Sequence, residues 1–116
     1  MSTTYKRYCK TLELRNDADL IEAYKLAHAK ENIWPVVNEG MKKVGIIDME
    51  IYILGNKLFM IMDTTPDFDH DKSMALLATL PRQAEWEKHM AQFQNTSENA
   101  TADEKWQVME RIYKLE

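Results

Sequence analysis

The 116-residue chain contains few of the residues on which several common kinds of site are built. Its single cysteine, Cys9, excludes an internal disulfide framework and any multi-cysteine metal site, and is predicted to be a buried, inert thiol on a strand. The sequence contains no glycine-rich phosphate loop, no serine nucleophile elbow and no paired metal histidines. Phosphoryl transfer and metal-dependent hydrolysis are therefore not expected.

Long apolar runs and clusters of basic residues are also missing. No segment approaches the ~20 apolar residues that a membrane span needs, and the first ten residues contain no apolar run of signal-peptide length. The 19 acidic side chains outnumber the 15 lysines and arginines, which are scattered along the chain. We expect a cytoplasmic protein that binds neither nucleic acid nor membranes.

The residues that are present have the composition of an ordinary globular protein, with 45% hydrophobic and 29% charged side chains. The length fits one domain covering residues 1–116. A domain of this size buries only about two thirds of its unfolded surface, so that a partner surface would stabilise it. A homodimer is therefore expected.

The first part of the chain predicts a strand followed by two helices. Residues 6–14 mostly alternate between the two sides of a strand, with Tyr8, Leu12 and Leu14 on one side. Apolar side chains recur at helical spacing over residues 18–30, after asparagine and aspartate residues that can cap a helix. A second short helix is predicted from the proline at position 35 to the glycine at position 45.

The last part predicts further helices, a loop and a strand. Aspartates at residues 67–71 can cap a helix that Pro81 interrupts, and apolar residues at helical spacing from Trp86 onward indicate another helix. Residues 95–105 are polar without periodicity and predict a loop. Residues 105–116 are predicted to form the final strand.

The strongest local signal is a β-hairpin. Gly55-Asn56 separates two apolar runs, residues 46–54 and 57–64, and is typical of a two-residue turn. The order strand, helices, strand, strand, helices, strand predicts an α+β fold of split βαβ type, an antiparallel sheet with helices on one face. A second copy of the chain could cover the other face.

Two side chains that can exchange protons lie four residues apart on the first predicted helix. Tyr24 and His28 therefore project from the same face and can approach one target. Histidine titrates near neutrality and can both give and take a proton, whereas tyrosine more naturally donates or orients. The alternative is that Tyr24 packs in an interface and His28 is a solvated or hydrogen-bonded helix residue.

Other candidates are weaker. Trp34 and Trp86 are more often core or interface residues than ligand platforms, because a large ring mostly buries area. His70 lies among aspartates that could bind a divalent metal, but helix capping by those aspartates is favoured. His89 follows Glu85 by four residues, which fits either an exposed contact or a pocket.

Five segments in the same order resemble the L-rhamnose mutarotase family, over nearly the whole chain. They are Tyr24-x-x-x-His28, Ile33-Trp34-Pro35, the hairpin from Glu50-Ile51-Tyr52 to Leu58-Phe59-Met60, Trp86-x-Lys88-x-Met90, and Met109-Glu110-Arg111-Ile112-Tyr113. The resemblance implies a ferredoxin-like dimeric α+β barrel. It also implies an isomerase without cofactor or metal that interconverts the α and β anomers of a free 6-deoxyhexose pyranose.

The resemblance also assigns site residues. The family's catalytic histidine falls on His28 and its substrate-binding tyrosine on Tyr24, while one sugar-contacting tryptophan falls on Trp86. Met49 and Glu87 stand where the family has a tyrosine and a second tryptophan that contact the sugar. These departures, and two additional residues between His28 and Trp34, leave the choice between L-rhamnose and L-fucose open.

The mechanism that follows is acid/base ring opening. His28 is expected to deliver a proton to the ring oxygen, while Tyr24 or a water molecule handles the anomeric hydroxyl. Trp86, with Trp34, Met49 and Glu87, is expected to contact the sugar. Two alternatives from other classes are a dimeric α+β barrel monooxygenase acting on an apolar substrate, and a non-catalytic sugar-binding protein.

Overall fold

A computed structural model describes residues 5–96 and 100–115 of the chain. Its four strands are β1 (Lys6–Glu13), β2 (Ile46–Leu54), β3 (Lys57–Thr64) and β4 (Gln107–Val108). Its five helices are α1 (Ala18–Ala27), α2 (Pro35–Lys43), α3 (His70–Thr79), α4 (Gln83–Ala91) and α5 (Ala102–Lys105). None of these helices is long and apolar enough to cross a membrane.

The strands form one antiparallel sheet in the order β2-β3-β1-β4. The predicted hairpin is confirmed, because Leu54 pairs with Lys57 across the turn formed by Gly55 and Asn56. The φ of Gly55 is 62°, a left-handed conformation that glycine adopts without a steric penalty because it has no Cβ. The predicted α+β class with an antiparallel sheet and helices is therefore confirmed. Directly paired side chains point to the same face, so each row across the sheet belongs to one face.

The helices pack on one face of the sheet and enclose the core. The row Ile51, Met60 and Lys10 faces them in the middle of the sheet, flanked by the rows of Met62 and Leu58. Cys9 lies on the opposite face and is only half-buried. The prediction of a buried Cys9 thiol is therefore wrong, since that face carries no helix.

The first helix ends earlier than predicted, and this places a candidate catalytic residue. Helix α1 stops at Ala27 instead of residue 30, and His28 is its C-cap. The Nδ1 atom of His28 lies 2.9 Å from the Tyr24 carbonyl oxygen, which a continuing helix would bond through the His28 backbone N–H. That N–H instead lies 3.2 Å from the Lys25 carbonyl oxygen. The His28 ring therefore terminates the helix.

Two predictions near the C-terminus are wrong in part. Within the predicted loop, Thr101 and Glu104 form a capping box that begins the short helix α5. Residues 97–99 of that loop lie outside the described residues. Of the predicted final strand only Gln107–Val108 pairs with β1, and residues 109–115 continue without strand structure. Glu116 lies outside the description.

Candidate active site

A cavity of about 500 Å³ lies between the helix-facing side of the sheet and the helices. This volume lies within the range of small-molecule sites, ~300–1,000 Å³. Its walls are mostly apolar side chains from strands β2 and β3 and from all four longer helices. Five polar side chains of the lining carry the argument below: Lys10, Tyr24, His28, Glu87 and Gln94.

Tyr24 and His28 meet at the end of helix α1 and both line the cavity. Their ring centroids are 4.4 Å apart, and Tyr24 is 4% exposed. Because a carbonyl oxygen can only accept, Nδ1 of His28 must carry the proton in its contact with the Tyr24 backbone. In the neutral ring the other nitrogen, Nε2, is then an acceptor.

Burial changes the acid/base properties of both residues. It lowers the pKa of His28 below its ordinary value of 6.5, although the hydrogen bond to the Tyr24 carbonyl works in the opposite direction. His28 is thus neutral at pH 7. Burial raises the pKa of Tyr24 well above its ordinary value, while an interaction with the Gln94 side chain works in the opposite direction. Tyr24 is therefore a protonated phenol that donates.

Trp86 forms an aromatic wall beside His28. It is 4% exposed, lines the cavity, and its ring lies 5.6 Å from that of His28 at an angle of 77°. Trp34 packs on Trp86 at 5.1 Å but is not among the described residues that line the cavity. The Trp34 ring instead stacks on the His89 ring at 5.6 Å and lies 4.2 Å from the Arg82 guanidinium.

Glu87 faces the cavity next to Trp86 and takes part in a buried ion pair. The Lys105 ammonium donates to Oε1 of Glu87 at 3.0 Å and to the Glu87 backbone oxygen at 2.6 Å. The Lys105 side chain has no solvent exposure and that of Glu87 has 15%. Burial raises the pKa of Glu87, and the Lys105 charge opposes this shift.

The structure places the remaining candidates in different surroundings. Met49 lines the cavity from strand β2. His89 is exposed and its Nδ1 contacts the Gln92 amide, so it is outside the cavity. Asp69 caps helix α3, which begins at His70, as favoured from the sequence. Within residues 5–96 and 100–115, no group of three side chains that could hold a metal ion is found.

Three cavity residues were not predicted from the sequence. Lys10 is one of them, although its position in the alternation of β1 places it on the same side as Leu12. Gln94 follows helix α4 and bridges to Leu14, a long-range contact that no local pattern signals. Trp106 is positioned by α5, whose Thr101-x-x-Glu104 capping signature was available in the sequence.

The sequence of the chain is similar to those of known proteins over nearly its whole length. The model of the L-rhamnose mutarotase family matches residues 7–115. The chain is 36% identical over 119 residues to a UPF0734 protein of Dictyostelium discoideum, covering 99% of this chain and 94% of that protein. It is 34% identical over 110 residues to an L-fucose mutarotase of Xanthomonas campestris pv. campestris, covering 95% of this chain and 88% of that protein.

The fold is also similar to a crystal structure of an L-rhamnose mutarotase from Formosa agariphila. The TM-score is 0.71 at 21% identity, and the match covers 96% of this chain and 99% of the other. These similarities do not support the monooxygenase alternative. The family match over most of the length confirms the resemblance drawn from the sequence: the chain belongs to the L-rhamnose mutarotase family, whose members are isomerases that act on carbohydrates.

Proposed function

We propose that the chain, as one domain, interconverts the α and β anomers of a 6-deoxyhexose pyranose, L-rhamnose or L-fucose. The observation that carries this proposal is the His28 ring, held through Nδ1 by the Tyr24 carbonyl oxygen and beside the Tyr24 phenol in a mostly apolar cavity. The two groups offer one proton acceptor and one proton donor within a few ångströms. Ring opening requires that pair, without any change of oxidation state.

Because the His28 ring is neutral, the proposed proton transfers differ from those expected from the sequence: His28 acts first as a base. Nε2 of His28 accepts the proton of the anomeric hydroxyl, and the electron pair of that O–H bond forms the carbonyl at C1 as the bond from C1 to the ring oxygen breaks. The Tyr24 hydroxyl gives its proton to the departing ring oxygen. The phenolate left on Tyr24 is stabilised by the adjacent imidazolium, with ring centroids 4.4 Å apart.

Rotation about the C1–C2 bond of the open aldehyde and reversal of both proton transfers then give the other anomer. His28 thus acts first as a base and then as an acid, and it is Tyr24 that donates the proton to the ring oxygen. General acid/base groups of this kind contribute about 100- to 10,000-fold each. No electrons are gained or lost in the cycle: His28 returns its proton to the anomeric oxygen of the sugar, and Tyr24 recovers its proton from the ring oxygen.

Substrate contacts follow from the walls of the cavity. Trp86 presents an apolar ring to the sugar's C–H groups, with Met49 and Glu87 as further contacts. Trp34 packs against Trp86 from outside the lining, and we therefore propose that it positions Trp86. The apolar strand residues favour the methyl group of a 6-deoxy sugar over a hydroxymethyl group, because the latter would be buried without a hydrogen bond.

Polarimetry of freshly dissolved sugars tests both the reaction and the substrate class. L-rhamnose and L-fucose have matched controls in L-mannose and L-galactose, which differ only by a hydroxyl on C6. We expect the protein to accelerate the decay of optical rotation for at least one of the two deoxy sugars, and more than for its control. Equal acceleration of a deoxy sugar and its control would reject the 6-deoxy class.

The pH dependence of this reaction follows from the His28 environment. The base acts in its deprotonated form, and burial lowers the pKa of His28 below 6.5. We expect kcat/KM, after subtraction of the spontaneous rate at each pH, to stay constant from pH 8 to about pH 6.5. It then falls only as the pH passes through the lowered pKa. Activity that rises with falling pH would contradict the role of His28 as the initial base.

We also propose that the protein is a homodimer. The sheet face turned away from the helices exposes Tyr52 and Leu54, and the C-terminal segment exposes Ile112 by 89% and Leu115 by 83%. Several large apolar side chains exposed in a single copy are consistent with an interface that covers them. We expect light scattering to give a dimer mass and Ile112→Asp to lower it, whereas Leu26→Asp on helix α1 leaves it unchanged. A monomer mass for the parent protein would reject the dimer.

A cytoplasmic location stays a prediction.

A further inference from the structure

Lys10 is a buried cation on the floor of the cavity. It lies in the middle of β1, paired with Met60 of β3 and Val108 of β4, and is 1% exposed. In residues 5–96 and 100–115, no hydrogen-bond partner of its ammonium group is found. Burial lowers the pKa of Lys10, while the charges of Asp103 and Asp71 work in the opposite direction. A buried amine without a hydrogen bond lowers the stability of the fold.

Gln94 presents the complementary group in the same cavity. Its side chain is 1% exposed, and its Oε1 atom is buried without a hydrogen-bond partner among the described residues. The backbone N–H of Gln94 bonds to the Ala91 oxygen, and the residue bridges to Leu14, so its position is fixed. The Gln94 side chain also interacts with Tyr24, which brings it to the reacting end of the cavity.

The fold itself leaves the Lys10 ammonium and the Gln94 Oε1 atom without a hydrogen bond from the described residues, although the Gln94 side chain also interacts with Tyr24. A methionine of similar length would fill either position and remove the free energy needed to bury an unsatisfied polar group. The other buried cation near the cavity, Lys105, is already bound to Glu87. The donors of Lys10 and the acceptor of Gln94 are therefore available to a ligand.

We propose that Lys10 and Gln94 form a hydroxyl-binding pair that orients the sugar, with the Lys10 ammonium donating to, and the Gln94 Oε1 accepting from, ring hydroxyls other than the anomeric one. This inference rests on the proposed function and names the residues that select the sugar by its hydroxyl pattern. A site built to bond a hydroxyl discriminates strongly against a ligand that lacks it, because the protein group is then left unpaired.

The pair predicts opposite effects on stability and on binding. In Lys10→Met and Gln94→Met, we expect sugar binding to weaken about 10-fold or more, because each loses a buried hydrogen bond to the ligand. We expect the melting temperature of Lys10→Met to be equal to or higher than that of the parent, because a buried amine is removed. A purely structural role for Lys10 would lower it. Lys43→Met and Gln92→Met, at exposed positions, are the matched controls.

Binding is measured with a sugar that cannot react. The 1,5-anhydro derivatives of L-rhamnose and L-fucose lack the anomeric hydroxyl, and their dissociation constants are obtained by calorimetry or ligand-observed NMR. Monodeoxy versions at C2, C3 and C4 then complete double-mutant cycles with each variant. We expect one position per residue at which removal of the sugar hydroxyl and removal of the side chain are non-additive.

Parent-like binding by both variants, or additive effects at every position, would overturn the inference while leaving anomer exchange untouched. If instead the parent protein binds the anhydro sugar with the expected cycles but accelerates no anomer exchange, the pair stands and the proposed enzymatic function is rejected. Absence of binding by the parent protein would overturn both.

Discussion

Replacing His28 by alanine is expected to lower kcat for anomer exchange by about 100- to 10,000-fold, the range for loss of a general base. The Nε2 acceptor disappears, and no other described residue offers a neutral imidazole to the cavity. His89→Ala is the matched control, since His89 is exposed and outside the cavity. We expect His89→Ala to retain the parent kcat, measured by polarimetry or NMR.

A second variant separates catalysis from the structural function of the His28 ring. The Nδ1 contact with the Tyr24 carbonyl caps helix α1, so alanine removes both a base and a cap. A His28→Gln side chain can still donate an N–H to that carbonyl but cannot act as a base. We therefore expect His28→Gln to keep a near-parent melting temperature and to be as inactive as His28→Ala. Substantial activity in the glutamine variant would argue against proton transfer by His28.

The largest expected effect on stability comes from the buried ion pair between Lys105 and Glu87. Lys105→Met is expected to lower the free energy of unfolding by about 3–5 kcal/mol, because it leaves the Glu87 carboxylate without its partner. The Lys105 side chain has no solvent exposure, and its ammonium also bonds to the Glu87 backbone oxygen. Urea unfolding, with the free energy extrapolated to water, measures the loss.

Two further variants test whether this loss of stability comes from the uncompensated charge of Glu87. The double variant Lys105→Met/Glu87→Gln removes the uncompensated charge, and we expect it to be more stable than Lys105→Met alone. Lys25→Met breaks an exposed pair with Glu22 and is expected to change the free energy by less than about 1 kcal/mol. A double variant no more stable than the single one would mean that packing of the lysine stem, and not the charge, dominates.

The features that could be predicted from the sequence are those that local spacing determines. The hairpin follows from Gly55-Asn56 between two apolar runs, and the spacing of four residues brings Tyr24 and the C-cap residue His28 together at the end of helix α1. The early end of α1 could not be predicted in this way. It depends on the His28 ring bonding a carbonyl, a competition between side chain and backbone that periodicity does not report.

The features that could not be predicted depend on long-range packing. Lysine is usually exposed, so the burial of Lys10 does not follow from its residue type, and its pairing with Met60 of β3 places it among the core residues of the sheet. The contact between Trp34 and the sugar stays a prediction, and the packing of the Trp34 ring on Trp86 could not be foreseen from local spacing. Residues 109–115 have the composition of a strand, but they do not form one. Their large apolar side chains Ile112, Tyr113 and Leu115 remain exposed in a single copy of the chain.

Transfer of the anomeric proton by a neutral His28, in a cavity large enough for one monosaccharide, is directly measurable. Saturation-transfer NMR at pH 7 measures the exchange between the α and β anomers of L-fucose and L-rhamnose at equilibrium. We expect exchange that increases with the concentration of the parent protein for at least one sugar and returns to the spontaneous rate with His28→Ala. Equal exchange rates with the parent protein and with His28→Ala, on both sugars, would contradict it.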